Sequence, residues 1–178
     1  MDAYLKSNFT TYKGVPEFIE WCASNDILFM INTTASIGFF QRVFALGLLP
    51  RVHALSAHDM LVYDPLPSDP PIILPLRETS DKATNTKRVS EEMGIPPERI
   101  FIIGDSGGDG PHFKWGKAQG CFLIGSMTKA SLQEFCSTHG VVIDAYFGVR
   151  YEKGEGRDLK KEMEYDFMEL RSILNERL

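Results

Sequence analysis

The sequence holds no apolar run near the roughly 20 residues that a membrane-crossing helix requires, and its longest runs, such as Ile27 to Ile31 and Ile100 to Ile103, fall far short. Its N-terminus lacks a basic stretch followed by an apolar one, so no leader is expected and the reading is a soluble, cytoplasmic protein without membrane contact. Cysteine is scarce: Cys22, Cys121 and Cys136 form an odd set without metal-type spacing, which excludes a disulfide framework and a zinc knuckle. They read as small buried hydrophobes. Basic charge is not in excess either, since 19 Lys and Arg stand against 24 Asp and Glu for a net charge of -5. Nothing in that balance favours a nucleic-acid partner. Repeats and low-complexity tracts are also absent. What is present is ordinary globular material, with 43% hydrophobic and 11% aromatic residues in 178. One domain spanning residues 1–178 is the expectation.

Short apolar runs alternate with helix-period segments, the pattern of an α/β domain with a mainly parallel sheet. Pro16 stands where a first helical residue belongs, with Phe18, Ile19, Trp21 and Cys22 at helical spacing until Asn25 and Asp26. Ile27 to Ile31 reads as a buried strand and Ala35 to Leu46 as a helix closed by Gly47. Prolines in DPLPSDPPIILPL leave only short strands or extended connections before residue 80. A helix over Lys82 to Met93 then stops at Gly94, and a strand over Arg99 to Ile103 runs into GDSGGDG. Pro111 opens a helix, Cys121 to Ile124 is a strand, Ala130 to His139 is a helix, and Val141 to Phe147 is the last apolar run. Leu159, Met163, Phe167, Leu170 and Leu174 recur every three or four residues, which predicts a helical face packed on the sheet.

The chemistry concentrates in IFIIGDSGGDG, residues 100 to 110, where a strand delivers Asp105 to its carboxyl end and a glycine turn brings Asp109 alongside. Open α/β folds bind ligands at that edge. Two adjacent carboxylates repel unless a cation or proton joins them, which points to a hard ion such as Mg2+ as cofactor, although Gly, Asp and Ser also make ordinary turns. Three lookalikes fail. GDSGG surrounds the serine of trypsin-like proteases, but Asp109 stands where their proline does. A calcium loop starting at Asp105 needs glutamate in its twelfth position, which is Gly116, and a dinucleotide fingerprint needs its glycines in another order. His53, His58, His112 and His139 show no ligand spacing, and only His112 follows the acidic loop.

With these motifs in hand, the chain resembles the haloacid dehalogenase-like (HAD) hydrolase superfamily, within it the phosphoserine-phosphatase-like and small-cap phosphatases. GDSGGD is similar to that family's fourth, metal-holding motif. The resemblance implies a three-layer, Rossmann-like domain, a small phosphomonoester substrate, Mg2+ held by Asp105 and Asp109, and a catalytic, phosphate-binding lysine opening the preceding helix. Lys82 in DKATNTKRVSEEMGI stands in that relation to Gly94, with Lys87 its rival on the same helix. FMINTTAS is similar to the second motif and implies that Asn32 or Thr33 bonds the phosphoryl group. A lysine at a helix N-terminus opposes the helix dipole, so its ammonium is expected to point toward Asp105 and Asp109 and to lie within about 4 Å of one or share a bound anion or water with them.

The family's first motif, D-x-D-x-T after an apolar strand, has no counterpart in MDAYLKSNFTTYKG, and no cap is visible. In the family that strand is the central one of the sheet. Its loss forces the strands at Ile27 and Arg99 to pair directly or to leave backbone groups unsatisfied. Three origins are open: the chain begins downstream of the true start, it is a non-catalytic relative binding a phosphorylated ligand or protein partner, or another segment such as Val141 to Phe147 supplies the strand. Asp144 in that segment reads as a strand-end residue. The substrate and oligomeric state are not legible.

Overall fold

The computed structural model describes residues 1–177. In chain order, α1 (Asp2–Asn8) and α2 (Val15–Ser24) lead into β1 (Met30–Ser36), α3 (Ile37–Ala45), β2 (Ala54–His58), β3 (Ile72–Pro75) and α4 (Asp81–Glu92). The second half continues with β4 (Phe101–Gly104), α5 (Gly110–Gln119), β5 (Phe122–Thr128), α6 (Ala130–His139) and β6 (Ala145–Arg150), and ends with the short α7 (Leu159–Glu162) and α8 (Leu170–Asn175). No described helix is long and apolar enough to cross a membrane.

All four strand pairings are parallel, but the strands form two sheets rather than one, ordered β1-β2-β3 and β4-β5-β6. Among the described residues β1 does not pair with β4 and no strand lies between them, and Val141–Phe147 runs into β6 at the outer side of the second sheet. The architecture is α/β and compatible with a Rossmann-like fold.

Helices cover both faces of each sheet because successive strand residues alternate sides. Leu55 and Ala57 of β2 pack with Leu5, Ile19, Val43 and Phe44 from α1, α2 and α3, whereas Ala54 packs with Val89 of α4. In the second sheet Ile102 and Leu123 meet Phe113 and Leu132 of α5 and α6, while Ile124 and Phe147 meet Phe18, Cys22 and Leu170 of α2 and α8. α2 therefore spans both sheets, sending Ile19 to one and Phe18 to the other. All three cysteines are free and buried, as small hydrophobes should be.

The chain departs from its apolar pattern in two places. Pairing in β1 starts at Met30, opposite Ala54, so Ile27 to Phe29 form its approach and the polar NTTAS its end. The C-terminal stripe is not one helix. The first helix stops at Glu162 and Asp166 starts a new turn by accepting from the Met168 N–H; Leu159 and Met163 face water while Leu170 and Leu174 reach the core.

Leu170 is fully enclosed and Leu159 is 56% exposed, which separates their energetic roles. We expect Leu170→Ala to lower stability by about 2–5 kcal/mol in urea denaturation and Leu159→Ala to change it by less than about 0.5 kcal/mol. Equal effects would remove α8 from the core.

Candidate functional site

A cavity of about 360 Å³ opens at the carboxyl ends of β1, β4 and β5, lined by Asn32, Thr33 and Thr34, by Ile103, Gly104 and Asp105, and by Ser126 and Met127. Tyr12, Lys82 and Asp109 complete its wall. Parallel strands deliver residues distant in sequence to one edge, which is why motifs over seventy residues apart meet there. The four residues singled out around the acidic loop and β1, together with Lys82, all line it.

Lys82 lies in the first turn of α4, and its Nζ donates to Asp109 Oδ1 at 2.6 Å. Both side chains are nearly buried, at 11% and 10% exposure. The other oxygen, Oδ2, accepts from the backbone N–H groups of Asp105 and Ser106 at 2.9 and 3.2 Å, which folds the glycine turn back on itself. Burial pushes the Asp109 carboxyl up, but the Lys82 ammonium and those two N–H donors outweigh it and hold it below the ordinary carboxylate value. A Cβ on Gly104 would stand 2.7 Å from the Phe113 ring and 2.8 Å from Asp109 Cβ, so glycine is required for the turn to close.

Asp105 has a different partner. Its Oδ2 accepts from Lys129 Nζ at 2.6 Å, and its carbonyl accepts from the Lys129 N–H. Lys129 escaped the sequence reading because no motif marks it. Its position just past β5, at the same sheet edge as the acidic loop, was the available signal. Met127 was missed too. It lines the cavity at a register shift between Ser126 and Thr128, with φ at +47°, a left-handed conformation costing a side-chain-bearing residue about 1 kcal/mol or more.

Asn32 is held by its amide nitrogen, which donates to the Lys82 carbonyl at 3.0 Å and to Thr86 Oγ1 at 3.2 Å. The carbonyl can only accept, which fixes the amide orientation. What remains is Oδ1, buried without a partner among the described residues, and it too is only an acceptor. Thr33 is complementary: its Oγ1 accepts from the Ala35 N–H, and its own proton stays free to donate. Thr86 passes its proton to His112 Nε2 at 3.0 Å, since its oxygen already accepts from Asn32. Burial lowers the His112 pKa to about 4, in keeping with a neutral ring accepting that bond.

Mg2+ binds through free carboxylate oxygens and waters. Asp109 has no free oxygen and Asp105 has one, and no group of three or more His, Cys, Asp or Glu gathers as a metal site among the described residues. The donor set does not fit a two-carboxylate Mg2+ centre, so no chemistry below is routed through the ion. Lys87 pairs loosely with Glu91 on the outer face of α4, and Asp144 accepts from the Leu123 N–H beside β6.

No protein-family model, curated protein or solved structure matches the chain.

The His112 ring ties its protonation to stability. A pKa of 6.5 in the unfolded chain and about 4 when folded means the unfolded state binds the proton first as pH falls. This stability is present above pH 6.5 and is lost towards pH 4, by on the order of 3 kcal/mol. Urea midpoints of the native protein and His112→Gln across that window are expected to diverge, with the variant flatter. Parallel curves would contradict the neutral, accepting ring.

Proposed function

We propose that the chain is a HAD-like α/β domain that holds a small phosphorylated ligand at the carboxyl edge of its strands. The reading is carried by one juxtaposition: the Thr33 hydroxyl and the Lys82 ammonium line the same strand-end cavity. Lys82 spends one N–H on Asp109 and keeps two to give. The Lys82–Asp109 pair is neutral as a whole, so Lys82 offers its two remaining N–H donors, and the Thr33 proton adds a directed bond to a phosphoryl oxygen. Asn32 supports this arrangement by position, because its donors are spent on α4.

Hydrolysis is the second reading, favoured by the free oxygen of Asp105 in the cavity wall. Covalent phosphoryl transfer with acid/base assistance uses two carboxylates, and Asp109 is fully engaged by Lys82 and two backbone donors. Binding without turnover is therefore the reading adopted.

Titrating inorganic phosphate by calorimetry, in EDTA and again with Mg2+, tests it. Saturable binding is expected in both, and Thr33→Val is expected to weaken it about fivefold through loss of one hydrogen bond worth about 1 kcal/mol. p-Nitrophenyl phosphate turnover is expected to stay at background. Unchanged binding by Thr33→Val would move the ligand elsewhere, and brisk turnover by a contaminant-free preparation would restore the hydrolase.

A further inference from the structure

Glu162 is fully enclosed, and it is the residue that α7 buries while Leu159 faces water. Apolar packing therefore does not attach this segment; a carboxylate does. Arg157 forks onto both of its oxygens, with Nε 3.0 Å from each and Nη2 2.8 Å from Oε2. The Tyr151 hydroxyl donates to Oε1 at 2.9 Å, and the Tyr12 hydroxyl donates to Oε2 at 2.5 Å. Arg157 Nη2 also donates to the Tyr12 oxygen. A buried carboxylate is tolerated where donors of this kind surround it. Burial, and after it the bond to Glu162, pushes the Tyr12 phenol up to about 12, so its proton is in place at neutral pH.

Tyr12 is also a wall residue of the strand-end cavity, whereas Glu162 and Arg157 lie outside that wall. Its ring stacks on Phe167 with centroids 5.4 Å apart. The residue beside it is tied to the same stretch, since the Phe167 N–H donates to the Lys13 carbonyl at 2.8 Å. Residues 157–167 thus clasp Tyr12 by its hydroxyl and by one ring face. With its proton spent on Glu162 and its oxygen already accepting from Arg157, what Tyr12 has left for the cavity is carbon surface. Met127 and Ile103 line the same cavity, and Met127 belongs to the apolar cluster against which Tyr12 packs. The donors of Thr33 and Lys82 therefore share one cavity with an apolar wall.

On the reading of that cavity as a phosphoryl site, we propose that Tyr12 determines its specificity: held by the Arg157–Glu162 clasp, the ring receives a flat, apolar organic group carried by the phosphorylated ligand. The class is an aryl phosphomonoester rather than a phosphorylated sugar. Sugar hydroxyls taken out of water need hydrogen-bond partners, which the side chains of Tyr12, Ile103 and Met127 do not supply. An aryl group gains from offset or edge contact with an aromatic ring as well as from burial. Glu162 and Arg157 are positioning residues, which act by holding one orientation of a ring that otherwise turns between rotamers.

Calorimetric titrations of the full chain with phenyl phosphate, glucose-6-phosphate and inorganic phosphate test this. Phenyl phosphate is expected to bind about tenfold more tightly than either of the others. The readout in variants is the affinity ratio of phenyl phosphate to inorganic phosphate, because a purely structural defect weakens both together. Tyr12→Ala should bring the ratio to about one. Tyr12→Phe keeps the ring and loses the clasp, so it should lower the ratio about threefold, as should Glu162→Gln, and the two together should lower it no further. In protein isotopically labelled at its tyrosine rings, the Tyr12 NMR signal should shift on adding phenyl phosphate, a measurement made on the native chain. Saturable phosphate binding with no preference for phenyl phosphate, or a preference that survives Tyr12→Ala, overturns the inference and leaves the phosphoryl site standing. Equal weakening of both ligands by Tyr12→Phe and Glu162→Gln would reduce the clasp to scaffolding and overturn its positioning role. Absence of binding by all three ligands overturns the phosphoryl reading, and this inference with it.

Discussion

A lysine ammonium and an aspartate carboxylate, both withdrawn from water, meet across the line where the two sheets fail to bond. Either charge alone in that place would be costly, so each is tolerable only because of the other. The rest of the site hangs on the pair. Asp109 uses its second oxygen to close the GDSGGD turn, and Gly104 leaves room for it to do so. Lys82 sets the first turn of α4, whose carbonyl and Thr86 hydroxyl fix the Asn32 amide, and Thr86 in turn fixes His112. One ion pair thus links β1, α4, the acidic turn and α5.

The split between the sheets is the counterpart of that link. Hydrogen bonding holds each set of three strands, and the sets are bridged by Phe18 and Ile19 of α2 on one face and by the Lys82–Asp109 and Thr86–His112 contacts on the other. Lys129 and Asp105 add a second, more exposed pair at the cavity rim, worth little by itself in water. The chain thus places a lysine ammonium and a threonine hydroxyl in one cavity at the junction of the two sheets.

Much of this was legible because the residues act locally. Gly47, Gly94 and Gly140 all take positive φ where helices end, and Pro16 and Pro111 open helices as their fixed geometry allows. The acidic turn was legible for the same reason, since a strand followed by Asp and Gly has few alternatives. The dipole argument for Lys82 worked because a cation at a helix N-terminus needs another reason to be there. Illegible features depend on which strands are neighbours. Lys129 pairs with Asp105 only because β4 and β5 lie side by side, and β1 begins at Met30 because Ala54, not local hydrophobicity, decides where the ladder starts. The C-terminal stripe kept its spacing but lost its continuity after Glu162, and Asp166 starts the next turn by capping it with its carboxylate.

If the buried pair is the tie between the two halves, its partners must be energetically coupled. A double-mutant cycle on Lys82→Met and Asp109→Asn, read from urea unfolding at neutral pH, measures that coupling. Each single change is expected to cost about 3–5 kcal/mol by stranding a buried group, and the double change far less than the sum, with a coupling above about 1.5 kcal/mol. Two costs that add to within about 0.5 kcal/mol would show that Lys82 and Asp109 act independently and that something else holds the sheets together.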